Sequence, residues 1–252
     1  MKIRYSSALS LALLLSCDRQ GGEDLDVELF FRAVHGDDVF TCNNENGKAP
    51  ATDLRLFVFD IRLLSGDGAE HPVEIQDDGQ FQSIGVALLD FECLLSIPEN
   101  KTIRGQIDEQ SAGLKFTGLR FKVGVPPEFD RMDPQSLPPP LNDSTMLLGE
   151  TPGHKFLSAD HYGDAMVRAE GCEQNTSDPC AQANIAEVEL HGFDIDTSTI
   201  SIDRAKLFEG CGNNCRCESP LVDPWCRTMY ERFGLDWMSG ETIPGQTVFR
   251  IE

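Results

Sequence analysis

Leu54-Arg55-Leu56-Phe57-Val58-Phe59-Asp60-Ile61-Arg62-Leu63 is the stretch whose reading decides the fold. Leu54, Leu56, Val58 and Asp60 fall on one side of an extended backbone and Arg55, Phe57, Phe59 and Ile61 on the other. That period of two, in a run rich in β-formers, predicts a strand. Ser65-Gly66-Asp67-Gly68 follows with glycines that tolerate positive φ, and His71-Pro72-Val73-Glu74-Ile75 returns, so the pair reads as a β-hairpin. Upstream, residues 27–34 alternate in part. Downstream, residues 86–89, 102–107, 118–125, 185–190, 199–202 and 247–251 are further short strand candidates, most of them bounded by Gly, Pro or Asp. Together they predict a mainly β chain, an antiparallel β-sandwich. Between Pro126 and Pro152 the prolines 126, 127, 134, 138, 139, 140 and 152 remove backbone donors, which predicts a long Pro-rich loop without regular structure. One short C-terminal helix is expected over residues 224–233, where Trp225, Met229, Arg232 and Phe233 recur at helical intervals and Gly234 offers the cap.

The N-terminus carries a different signal. Lys2 and Arg4 precede an apolar run over residues 9–15, too short to span a bilayer, and Leu14-Leu15-Ser16-Cys17 closes it. This reads as a signal peptide, residues 1–17, cut and lipidated at Cys17. An acidic tether over residues 18–26 and one β domain over residues 27–252 follow. Two or more acyl chains anchor a protein without a transmembrane helix, so the expected location is extracytoplasmic, as a periplasmic or cell-surface lipoprotein.

Of nine cysteines, removing Cys17 leaves Cys42, Cys93, Cys172, Cys180, Cys211, Cys215, Cys217 and Cys226. An even remainder in an exported chain predicts up to four disulfides, with about 105 connectivities open. The dense run from Cys211 to Cys217 could also hold a metal ion, but an oxidising compartment favours cystines.

Lys and Arg number 21 against 42 Asp and Glu, for a net charge of −21. Such a surface argues against nucleic acid and against charge-driven binding to anionic lipid. No Gly-x-Ser-x-Gly, His-Glu-x-x-His or Walker sequence occurs, and no enzymatic activity is expected. Asp194-Ile195-Asp196-Thr197-Ser198 lacks the Gly and closing Glu of a calcium loop and reads as a turn. The five His and six Met supply the imidazole and thioether donors that Cu(I) favours. His154 and His161 stand seven apart around a predicted strand, with Met166 close behind.

The set Leu88-Leu89-Asp90-Phe91, Gly124-Val125-Pro126, Pro140-Leu141-Asn142-Asp143-Ser144-Thr145-Met146, Gly153-His154-Lys155-Phe156 and Gly171-Cys172 resembles, in order and spacing, the MbnP-like family of exported four-Cys proteins. Phe40-Thr41-Cys42 and the ending Gly245-Gln246-Thr247-Val248-Phe249-Arg250 extend the resemblance from about Val27 to the C-terminus. It implies a β-rich extracytoplasmic protein, copper as cofactor, and as partner a MauG-like dihaem cytochrome c peroxidase relative that oxidises a Trp of the protein to kynurenine.

This chain departs from the family pattern at the chemistry. Asp130-Arg131 stands where the family has Asn-His, Leu148-Gly149-Glu150 where it has Trp-x-Trp, His154 where it has Tyr, and Met166-Val167-Arg168 where it has His-Leu-Gly. Guanidinium offers no lone pair in place of imidazole, so the usual site cannot form unchanged. Trp225 and Trp237 match neither family Trp and read as packing residues. Two functions follow. Either His154 and Met166, with His161 or His35, make a rearranged copper site, or the scaffold is a metal-free anchored interaction or structural module.

Overall fold

The computed structural model describes residues 25–40, 53–93, 99–111, 113–149, 152–160, 163–172, 180–211, 215–218 and 223–252. In chain order the strands are β1 Leu25–His35, β2 Asp38–Val39, β3 Leu54–Ser65, β4 Glu70–Pro72, β5 Glu74–Ile75, β6 Gln82–Ser83, β7 Val86–Asp90 and β8 Thr102–Ile107. They continue with β9 Phe116–Val123, β10 Leu157–Asp160, β11 Gly163–Val167, β12 Ala186–His191, β13 Thr199–Asp203, β14 Cys215–Cys217 and β15 Phe249–Ile251. The α-helical segments are α1 Pro127–Asp130, α2 Arg204–Leu207 and α3 Pro224–Phe233.

Strand β3 is the hub. Its first half pairs with β10 on one edge and β7 on the other, and its second half with β9 and β4. A strand covered this way has few open positions, and β3 is buried on both faces along most of its length. The alternation seen in its sequence is therefore not an inside–outside alternation. A register shift between Phe59 and Arg62, with Asp60 at φ 48°, breaks it locally. The hairpin from β3 to β4 forms, with Gly68 at φ 85° in the turn, but the predicted return over residues 71–75 divides after Pro72, and Glu74 and Ile75 pair with β8 instead.

Strands β15, β13, β1, β8 and β5 form the second sheet, with β2 on β1. Here alternation does set the faces: Val27, Leu29, Phe31 and Ala33 are buried while Asp26, Glu28, Phe30 and Arg32 are exposed. The two sheets meet through rings. Phe31 of β1 packs edge-on against Phe121 of β9 with centroids 5.9 Å apart, and Phe121 against Phe249 of β15 at 5.5 Å. The architecture is a β-sandwich, as the sequence predicts, but not wholly antiparallel. β1–β13 and β11–β14 run parallel, because those partners come from distant parts of the chain rather than from hairpins.

Helix α3 has the predicted bounds. Asp223 accepts from the Trp225 N–H at its start, and Gly234 at φ 90° ends it in the left-handed region. Cys226, Met229, Tyr230 and Phe233 face the core, and the Cys217–Cys226 disulfide ties the helix to β14. Cys172–Cys180 and Cys211–Cys215 are also bridged, and Cys93 is a half-cystine. Cys17, Cys42 and His161 lie outside the described residues.

The Pro-rich segment differs from expectation. It holds α1 and two short 3-10 turns, residues 134–136 and 144–146, capped by the carboxylates of Asp133 and Asp143. The carboxylates accept from the N–H groups that remain at the start of each turn, and Leu137, Leu141 and Met146 anchor the segment in the core. The turn at Asp194 is confirmed: its carbonyl accepts from the N–H groups of Thr197 and Ser198.

Candidate functional site

The Pro-rich segment closes around His154. The Lys155 N–H donates to the Met146 carbonyl (2.8 Å), and the Leu148 N–H to the Gly153 carbonyl (3.1 Å). Gly153 makes the close approach possible. It sits at φ 126°, and a Cβ there would lie 3.1 Å from Leu148 Cδ1.

His154 is 1% exposed. Its backbone N–H donates to Asp130 Oδ1 (2.9 Å), ring Nδ1 lies 3.1 Å from the Asp130 carbonyl oxygen and 3.3 Å from Oδ1, and Nε2 lies 2.8 Å from the Leu141 carbonyl oxygen. Both ring nitrogens therefore face oxygens inside the core, Nε2 toward Leu141 and Nδ1 toward Asp130. Phe57 closes the ring edge-on, with centroids 5.9 Å apart. A metal ligand needs a nitrogen lone pair aimed at an open position. His154 has none.

Met166 faces elsewhere. It pairs with Ser158 across β10 and β11, between the buried Ala165 and Val167, and so projects from the opposite face of the sheet. There it lines a polar hollow of about 310 Å³ with Asp53, Ser158, Asp160, Asp164 and Arg216. His35 ends β1, in the other sheet. The three described candidate ligands are thus not brought together: His154 is a core residue, and Met166 and His35 stand on different surfaces. Among the described residues no group of three or more His, Cys, Asp or Glu is placed to hold a metal ion. Among the described residues, the candidate donors do not form the soft-donor copper site that the family resemblance implies.

Beside the hollow lies an ionic network that sequence reasoning missed. Arg55 is 6% exposed and grips Asp53 with two hydrogen bonds, Nε to Oδ1 (2.7 Å) and Nη2 to Oδ2 (3.0 Å). It also donates to Thr145 Oγ1 and lies 3.5 Å from Glu92. Burial opposes its charge, but the Asp53 hydrogen bond and the charges of Asp53, Glu92 and Asp90 outweigh burial and hold its pKa above the usual value. Burial pushes the Asp90 and Glu92 carboxyls up, with Arg55 only partly offsetting it. The network fastens β3 to the Pro-rich segment through Thr145, and an alternation pattern that puts Arg55 on a strand face carries no sign of it.

Arg204 is another buried cation, 1% exposed, with its guanidinium 4.2 Å from the centre of the Phe40 ring and donating to the Asp160 carbonyl. Burial lowers its pKa to about 10. The tryptophans pack as expected: Trp225 stacks on Phe208 and Trp237 lies under the Arg227 guanidinium.

The family model MbnP matches residues 24–220. Among solved structures, MbnP from Methylosinus trichosporium aligns with a TM-score of 0.75 and 23% sequence identity, covering 91% of this chain and 99% of that one. None of the curated proteins matches the chain. The likeness to the solved structure establishes the shared fold, and with the family match over most of the β domain, the chain belongs to the MbnP family.

Proposed function

We propose that this chain is a lipid-anchored extracytoplasmic binding module of the MbnP type, without enzymatic activity, in which position 154 braces the fold instead of holding copper. The observation that carries this reading is the engagement of both His154 ring nitrogens by oxygens inside the core. Anchoring through Cys17 is supported by the leader sequence, and a dihaem peroxidase-like partner by the family resemblance. Anaerobic titration with Cu(I) against a competing chelator tests the reading: the folded chain takes up copper no more tightly than the unfolded chain does.

A copper-handling role is the second reading. It is favoured by the family itself and by the Met166 thioether, which opens on a hollow lined by oxygen donors. Tight one-to-one Cu(I) binding abolished by Met166→Ala would establish it and displace the first. For the anchor, Cys17→Ala releases the product from the membrane fraction, whereas unchanged association argues against lipidation.

A further inference from the structure

Strand β1 changes partners at Phe30. Its β8 ladder runs from Leu25 to Phe30, whereas the β13 register begins at Phe30 opposite Thr199. Among the described residues no strand covers Leu25–Leu29 on the side away from β8. The polarity of the β8 ladder says what that edge offers. The Phe31 N–H donates to the Lys101 carbonyl, so residues of odd number exchange hydrogen bonds with β8. The N–H and C=O groups of Asp26 and Glu28 therefore point outward along the open edge. Five residues of edge span about 17 Å.

Beside this edge runs a groove of about 400 Å³, lined by Leu25, Phe30, Leu114, Phe116 and Ile195 and bordered by Asp26, Glu28 and Asp196. Leu25, Phe30 and Leu114 are 37%, 47% and 42% exposed and are three of the seven large exposed hydrophobic residues among those described. Exposed apolar surface gathered beside unpaired backbone groups is the feature that strand-adding partners use.

We propose that the open edge of β1 takes up an extended segment of a partner protein by strand addition, and that this segment alternates basic and apolar residues. Main-chain bonds to Asp26 and Glu28 hold it, its basic side chains face their carboxylates, and its apolar side chains enter the groove. Charge selects the partner. A second copy of the chain would set Asp26 and Glu28 against the same acids, on a body of net charge −21, so self-pairing is disfavoured. Glu28 already pairs with Arg104 (3.0 Å), but both side chains are largely exposed, and an exposed pair is readily shared.

The test uses the full mature chain and a synthetic capped peptide, Lys-Val-Lys-Phe-Lys-Val-Lys, in a fluorescence anisotropy titration at about 0.15 M salt. The expected result is saturable binding that falls by about tenfold or more when alternate peptide nitrogens are methylated, because two or more hydrogen bonds are lost. Glu28→Pro removes an outward N–H without touching the β8 ladder and should weaken binding by a similar factor, whereas Glu28→Gln changes it by no more than about threefold. Leu114→Asn, which leaves β1 intact, should weaken it also. Absence of binding overturns the proposal. Equal affinity for the methylated peptide shows attraction by charge alone and overturns it too. So does an unchanged affinity in a Glu28→Pro chain that keeps its melting temperature, and so does dimerisation through this edge without peptide.

Discussion

His154 and Asp130 meet at three contacts: the His154 backbone N–H lies 2.9 Å from Asp130 Oδ1, and ring Nδ1 lies 3.1 Å from the Asp130 carbonyl oxygen and 3.3 Å from Oδ1. Both side chains are almost fully buried. A carboxylate at that depth needs donors, and the His154 backbone N–H supplies one. The side chain that reads as a soft metal ligand in sequence is the tie between the Pro-rich segment and the core.

His154→Ala leaves Asp130 and the Leu141 carbonyl short of donors and opens a cavity against Phe57. A loss of about 3 kcal/mol or more is expected in urea unfolding. The double variant with Asp130→Asn should fall short of the sum of the single losses by about 1 kcal/mol, the sign of a shared network. Additive losses would mean that the two residues act separately.

Asp203, at the end of β13, joins the β1–β2 turn, α2 and β15. Its Oδ1 accepts from the N–H groups of Gly36 (3.0 Å) and Ala205 (2.9 Å), and its Oδ2 from Arg250 Nη1 (2.7 Å). Burial would raise its pKa, but the Gly36 N–H, Arg250 and the N–H groups of Lys206 and Ala205 outweigh burial and hold it below the usual carboxylate value. A depressed folded pKa contributes stability above the unfolded value, about 3.9, and loses it as pH falls through the folded one. Asp203→Asn should therefore cost about 2 kcal/mol at neutral pH and progressively less below about pH 4, read by chemical denaturation at several pH values.

Gly105 lies where β8 passes β5. A Cβ there would come within 2.5 Å of Val73 Cγ1 and 2.7 Å of the Glu74 carbonyl oxygen. Gly105→Ala should destabilise the chain by about 1–3 kcal/mol, although the alanine removes backbone entropy from the unfolded state. A raised melting temperature would show that β5 moves aside freely.

The Cys217–Cys226 bridge closes a nine-residue separation between β14 and α3. Cys217→Ser with Cys226→Ser should lower stability by about 2–3 kcal/mol under oxidising conditions. The gap between variant and parent should narrow in strong reductant, where both chains lack the bridge. A difference that persists unchanged would assign the loss to packing.

The sequence disclosed those elements whose causes are local. Residues 102–107 form β8 with the predicted bounds, and α3 keeps its predicted 224–233 because Asp223, Pro224 and Gly234 are start and stop signals carried in the chain itself. The strand expected between His154 and His161 forms as β10, whereas β11 and β14 escaped because Asp164 and Arg216 dilute their patterns, and pairing with β10 and with each other supplies the order. The parallel partnership of β1 and β13 is likewise invisible to any local rule.

At the candidate site the residue types were legible and their roles were not. Whether His154 offers a lone pair depends on Asp130, 24 residues earlier, and on Leu141, 13 residues earlier. Alternation within β11 puts Met166 on the face away from the buried Ala165 and Val167, whereas His154 precedes β10 and its placement comes from Asp130 and Leu141.

Nitrogen-15 NMR of the His154 ring, recorded as one equivalent of Cu(I) is added anaerobically to the folded chain, tests the structural role of this residue most directly. The account predicts that the Nδ1 and Nε2 resonances stay where they are and that Leu141 and Asp130 remain their partners. A copper-dependent shift of either nitrogen, lost in Met166→Ala, would contradict it.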